Sequence, residues 1–227
     1  MSDSRSYRDN IGSKFFQDGS VRYYPGNTII SFIQRQSPVF DELVKIRSDL
    51  QACSAGDCFT FLPDSSLHMT VFEGVCFDVR VPELWSRFLP LDASMDEADS
   101  FIEARFSEVP GIMDVYMRTD GIVTGFGYGV SLVPDSPEDL LCIRDYRDAL
   151  SESTGIRFPN HEEYRFHISL CYGISDPDEK QNRVLDQFER DAVAYIKEHP
   201  VKFKIDQPRM TFFRDMFAFE TVRFQRT

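Results

Sequence analysis

Two short runs constrain this chain more than anything else in it: His68-Met69-Thr70-Val71 and His167-Ile168-Ser169-Leu170. Both follow the order histidine, apolar, hydroxyl, apolar. The sequence has only 4 histidines, and 2 of them start these runs. Each run sits in an apolar stretch with the alternation of a β-strand, where residues i and i+2 share a face. His68 and Thr70 are therefore expected on one face, with Met69 and Val71 on the other. His167 and Ser169 repeat that arrangement. Two imidazoles and two hydroxyls on facing strands suit general acid–base work on a phosphate ester.

The surrounding pattern predicts alternating strands and helices. Tyr23-Tyr24-Pro25-Gly26-Asn27 reads as a turn into a strand over Thr28–Ile33. Ser37-Pro38 gives an N-cap and a first-turn proline for a helix with Val39, Leu43, Ile46 and Leu50 on one side. Strands are expected at Phe59–Leu62 and Leu67–Phe72, separated by a turn at Pro63–Ser66. Pro82 is expected to open a helix containing Leu84, Trp85, Phe88 and Leu89. A second helix starts from the capping-box pattern Ser94-Met95-Asp96-Glu97. Asp120-Gly121 reads as the turn of a hairpin between Ile112–Thr119 and Ile122–Val133. Ser136-Pro137 opens a helix ending near Gly155, and Tyr164–Cys171 is the second motif strand. Asp176-Pro177 opens a long helix presenting Val184, Phe188, Ala192 and Tyr195. Strands close the chain near 201–206, 209–213 and 217–224.

The element order of the first half, ending on one motif, recurs in the second half, and the motifs lie 99 residues apart. This is the pattern of a divergent internal duplication with one histidine strand per lobe. With 227 residues, 42% hydrophobic and 14% aromatic, the chain has enough apolar material for one domain of two lobes. A tail over about residues 1–14 is polar and expected to be loosely ordered.

With these motifs on strands in corresponding positions, the chain resembles the two-histidine (2H) phosphoesterase superfamily. That superfamily includes RNA 2′,3′-cyclic phosphodiesterases and 2′-5′ RNA ligase-like proteins. Pro25-Gly26-Asn27-Thr28 and the run from Leu67 to Gly74 look like a less characterised bacterial and fungal branch. The resemblance in element order extends from about residue 15 to 224. It implies an α+β, bilobal, pseudo-two-fold fold, with two antiparallel sheets facing a central cleft and helices outside. It also implies a phosphoric diester hydrolase acting without metal on a cyclic or 2′-5′-type phosphodiester, on a small nucleotide or an RNA end. His68 and His167 would be the catalytic acid and base, in an order the sequence leaves open. Thr70 and Ser169 would hold phosphate oxygens. No cofactor and no metal is expected.

The remaining candidates carry plainer readings beside the functional ones. Arg165 shares parity with His167 and could touch phosphate, or it could be a strand-end arginine in solvent. Tyr23 and Tyr24 could stack on a base or cover a core edge. Asn27 and Thr28 could line the cleft or serve the turn. Arg209 and Thr211 could add phosphate contacts or be ordinary strand residues. His199 suits a helix C-terminus, and His161 reads as a solvated loop residue close enough to gate the cleft. The acidic run from Asp92 to Asp99 reads as a solvated helix start.

A formal net charge of −12 opposes binding of a long nucleic acid duplex and points to a short ligand. Five scattered cysteines without zinc-ligand spacing suggest reduced thiols. No signal-peptide pattern or membrane-length apolar run is visible, so a cytoplasmic protein without membrane contact is expected, and a monomer. The competing functional reading is a non-catalytic nucleotide or RNA-end binding module on the same scaffold. A third is a vestigial cleft in a protein that works through a partner surface.

Overall fold

The structure is a computed structural model and describes Tyr7 and residues 10–224. In chain order its strands are β1 (Gly26–Phe32), β2 (Phe59–Phe61), β3 (His68–Cys76), β4 (Tyr116–Thr124), β5 (Gly127–Pro134), β6 (His167–Gly173), β7 (Lys202–Lys204), β8 (Arg209–Asp215) and β9 (Ala218–Glu220). The helices are α1 (Pro38–Ala52), α2 (Met95–Glu108), α3 (Pro137–Thr154) and α4 (Glu179–Glu198). The strands form one antiparallel sheet in the order β7-β4-β5-β6-β3-β1-β8-β9, with β2 also paired to β6. The sheet curls strongly into a half-barrel in an α+β fold. Among the described residues no helix is long and apolar enough to cross a membrane.

The expectation of two separate sheets is corrected. The motif strands β3 and β6 pair with each other at Met69↔Ile168, which joins the two halves into one sheet. Met69 and Ile168 are fully buried in the main core with Val39, Leu43 and Ile46 of α1, Ile102 of α2, and Ile143 and Leu150 of α3. The helices therefore cover the face opposite the histidines, as strand alternation requires.

Capping explains where the helices begin. Ser37 Oγ accepts from the Phe40 amide ahead of Pro38, and Val39, Leu43, Ile46 and Leu50 are buried as the spacing predicts. Ser94 and Glu97 form the reciprocal capping box, at 3.2 and 2.8 Å. Helix α3 ends on Gly155 in the left-handed conformation, φ 74°. Helix α4 starts two residues later than expected, capped by Asp178 and Gln181, and it buries Leu185, Ala192 and Ile196. The apolar stripe is thus turned from the one that began at Val184.

Other expectations fail for identifiable reasons. Pro82 opens only a single 3-10 turn over Pro82–Leu84. Beyond it the chain bonds to the end of α3 instead of to itself: Ser86 Oγ donates to the Thr154 carbonyl at 2.6 Å and the Arg87 amide to that of Gly155 at 2.9 Å. Asp120-Gly121 is not a hairpin turn. Strand β4 runs through it with a bulge between Thr119 and Gly121. The turn comes at Gly125-Phe126, where Gly125 has φ 112° and Gly127 φ 155°, conformations that favour glycine.

The stretch expected as a loose tail is described only in part. Residues 1–6, 8 and 9 lie outside the described residues. Tyr7 is buried against Phe59, and the Asn10 amide donates to the carbonyls of Phe126 and Gly173 at 2.6 and 3.1 Å.

Asn27 lies inside β1, 1% exposed. Its Oδ1 accepts from the Val75 amide at 3.1 Å, and its Nδ2 donates to Asp99 Oδ1 of α2 at 2.8 Å. It fills the register shift between Gly26 and Thr28, and Gly74 leaves it room, since a Cβ there would fall 2.1 Å from Asn27 Oδ1. Asn27→Ala strands a buried amide and is expected to cost about 1–3 kcal/mol. A urea titration checks this; an unchanged midpoint would reduce Asn27 to a bystander.

Candidate active site

The two motif strands have the same local geometry. On β3, His68 pairs with Phe32, Met69 with Ser31 and Thr70 with Ile30; the next pair skips to Phe72↔Ile29, followed by Glu73↔Thr28. On β6, His167 pairs with Ser131, Ile168 with Val130 and Ser169 with Gly129; the next pair skips to Cys171↔Tyr128, followed by Tyr172↔Gly127. Each strand thus carries one extra residue, Val71 or Leu170, directly after its hydroxyl. A bulge of this kind inverts the facing of the residues beyond it. Residues three beyond the hydroxyls, Glu73 and Tyr172, therefore join the histidine face.

Both imidazoles are held alike. His68 Nδ1 lies 2.6 Å from the Ser66 carbonyl, and His167 Nδ1 lies 3.0 Å from the Arg165 carbonyl. A carbonyl only accepts, so Nδ1 carries the hydrogen in each ring, and Nε2 is left as the basic nitrogen. The surroundings differ. The Phe219 ring lies 4.2 Å from that of His68, and Phe126 lies 5.5 Å from His167. Burial pushes His68 down to about 4, against the Ser66 carbonyl and with nearby His167 acting in the same downward direction. His68 is neutral at neutral pH.

Together these residues line a cleft of about 340 Å³. His68, His167, Thr70 and Ser169 all face it, and so do Tyr24, Asn27 and Thr28. Tyr24 is only 9% exposed, and burial raises its phenol pKa. Arg165 does not reach the cleft; it lines a separate depression with Arg144 and Glu163. Its parity argument fails because β6 begins only at His167. Tyr23 is exposed, Arg209 is not in the cleft wall, and Thr211 is buried with its hydroxyl on the Thr28 carbonyl at 3.0 Å. His161 is buried on Asp148 at 3.0 Å, so it neither floats in solvent nor gates the cleft. His199 caps α4 and stacks on Tyr195. Asp99, in the acidic run, is buried beside Asn27.

Sequence reasoning missed much of the cleft wall, including Lys14, Glu73, Tyr164, Tyr172 and Phe219. Plain strand alternation from Ile168 would put Tyr164 and Tyr172 on the core face. Tyr164 precedes the strand, so alternation does not govern it, and the bulge at Leu170 turns Tyr172 over. Glu73 is held by Arg147, whose Nη1 and Nη2 both donate to Glu73 Oε2 at 3.2 Å. Arg147 also donates to the Val71 carbonyl at 2.6 Å and stacks 4.1 Å over the Tyr164 ring. Burial, then the charge of Glu73, raises the Tyr164 phenol, so it stays protonated beside Thr70. Among the described residues no three histidine, cysteine, aspartate or glutamate side chains gather to hold a metal ion.

Two comparisons give relatives. A family model described as 2H-phosphodiest, a domain of unknown function (DUF1868), matches residues 14–125; this span holds the first histidine motif. A crystal structure of a conserved protein of unknown function from Agrobacterium tumefaciens aligns with a TM-score of 0.86 at 26% identity, over 97% of this chain and 93% of that one. No curated protein matches the chain. The matched first motif, and the second motif paired beside it on β6, lead to one assignment: the chain belongs to the 2H phosphoesterase family.

Proposed function

We propose that this chain is a phosphodiesterase that hydrolyses a cyclic or 2′-5′-type phosphodiester on a small nucleotide or RNA end, by two-histidine acid–base catalysis needing no metal. The observation that carries the reading is the paired geometry of His68 and His167, each with Nδ1 on a carbonyl two residues back. Catalysis at phosphorus needs one proton removed and one supplied, and two imidazoles with basic nitrogens at one cleft match that need. Pure binding has no use for such a pair.

The burial of His68 supports one division of roles. His68, kept neutral, is the base: its Nε2 takes a proton from water as the water oxygen attacks phosphorus. His167 is the acid: its protonated Nε2 gives a proton to the departing ester oxygen. The P–O bond to that oxygen breaks and a phosphomonoester remains. His68 then holds one proton more and His167 one fewer, and solvent exchange restores the pair. Thr70 and Ser169 donate hydrogen bonds to the non-bridging oxygens, where charge is held in the transition state. Protonated Tyr164, beside Thr70, adds a donor.

The cleft is also read as two related halves of one duplicated unit. The matching register and the bulge placed after each hydroxyl support this. A short ligand, a monomeric protein and a cytoplasmic location complete the proposal, in keeping with the net charge of −12. The alternative is a sensor that binds nucleotide ends without turnover.

Single His68→Ala and His167→Ala variants are expected to lose about 10²–10⁴ in kcat. The assay is hydrolysis, in EDTA, of the four nucleoside 2′,3′-cyclic phosphates, ADP-ribose 1″,2″-cyclic phosphate and a 2′-5′ dinucleotide. Turnover that survives either substitution, or depends on added metal, contradicts the mechanism. The pH dependence gives a second check. A base works only when unprotonated, so kcat/KM is expected to hold as pH falls below the ordinary histidine range and to drop near pH 4. An acid limb near 6.5 would remove His68 from the role of base.

A further inference from the structure

Lys14 is a cation built into the cleft wall that the mechanism above does not use. The chain has 37 acidic residues against 25 lysines and arginines, yet among the described residues no carboxylate pairs with Lys14. Its ammonium instead lies 5.7 Å from the Tyr24 ring centroid and 5.0 Å from that of Tyr172. Glu73 is the only carboxylate among the described residues lining the cleft, and Arg147 already engages it from behind.

The segment that carries Lys14 is anchored. The Lys14 amide donates to the Asn10 carbonyl at 3.1 Å, and the Lys14 carbonyl accepts from the Arg22 amide at 2.9 Å. Asn10 is tied to the turn before β5 and to the end of β6. Phe15, next in sequence, is fully buried and packs on Tyr172 at 5.2 Å. The lysine is thus positioned by backbone and core contacts. Two aromatic faces hold the ammonium while no carboxylate among the described residues pairs with it, an arrangement suited to an incoming anion.

We infer that Lys14, framed by Tyr24 and Tyr172, is a second anion subsite, so the preferred substrate carries a further phosphate beside the one that is cleaved. The inference rests on the phosphodiesterase reading only in assigning the scissile phosphate to Thr70, Ser169 and the histidines. A nucleoside cyclic phosphate bearing a 5′-phosphate fits this description; its unphosphorylated counterpart leaves Lys14 unused. One charge-assisted hydrogen bond in a partly buried site corresponds to about tenfold to hundredfold in affinity.

Isothermal titration tests this with the four nucleoside 2′,3′-cyclic phosphates, each with and without a 5′-phosphate, in a His167→Ala background that prevents turnover. The 5′-phosphate is expected to tighten binding about tenfold or more. Lys14→Met is expected to bring that ratio close to one, and Lys14→Arg to keep most of it, which separates lost charge from lost fold. Four outcomes overturn the subsite: equal affinity for both ligand sets, a ratio that survives Lys14→Met, an equal loss for both sets in that variant, or no binding of either set. Turnover by the otherwise unchanged protein is read in parallel. Hydrolysis without a 5′-phosphate preference rejects the subsite alone. A 5′-phosphate preference without hydrolysis rejects the phosphodiesterase reading and leaves the subsite standing.

Discussion

One pairing, Met69 against Ile168, joins the two halves of this molecule. Both side chains are fully buried in the main core, so the apolar face fixes how the two strands meet. Strand alternation then puts both histidines on the other face. A slip of one residue in either strand would send an imidazole into the core. The close approach of His68 and His167 is therefore a consequence of packing on the far side of the sheet. The bulges at Val71 and Leu170 extend the same logic, because they bring Glu73 and Tyr172 into the cleft from positions that simple alternation assigns to the core.

The two halves match in register but not in surroundings. His68 sits against Phe219, and burial lowers its affinity for a proton. Beyond Thr70 the cleft continues into Glu73, which Arg147 holds from the core side. Beyond Ser169 it continues into Tyr172 and the ammonium of Lys14. Similar backbone frames thus hold the two imidazoles, and dissimilar neighbours surround them.

The motifs were legible because their periodicity and their rare histidines coincide, and the caps at Ser37, Ser94 and Ser136 were legible because capping is local chemistry. Distant contacts set the features that escaped the sequence. The helix expected after Pro82 gave way to bonds between Ser86, Arg87 and the end of α3. Asp120-Gly121 carried a hairpin signal, but the local chain used it as a bulge and turned at Gly125 instead. Arg165 and Tyr164 were misplaced because the strand starts later than its apolar run, and Tyr172 because a bulge has no plain mark in sequence. Lys14 lay in a segment that reads as a polar tail, and only the contacts of Asn10 and Phe15 fix it at the cleft.

The central claim is that both imidazoles keep hydrogen on Nδ1, with His68 neutral and its Nε2 free to act as base. Long-range ¹H–¹⁵N spectra of the histidine side chains, recorded through a pH titration, test it most directly. The account predicts the Nδ1–H tautomer for His68 and His167, and no protonation of His68 until the pH approaches about 4. An Nε2–H tautomer at either ring, or a His68 midpoint near 6.5, would contradict it.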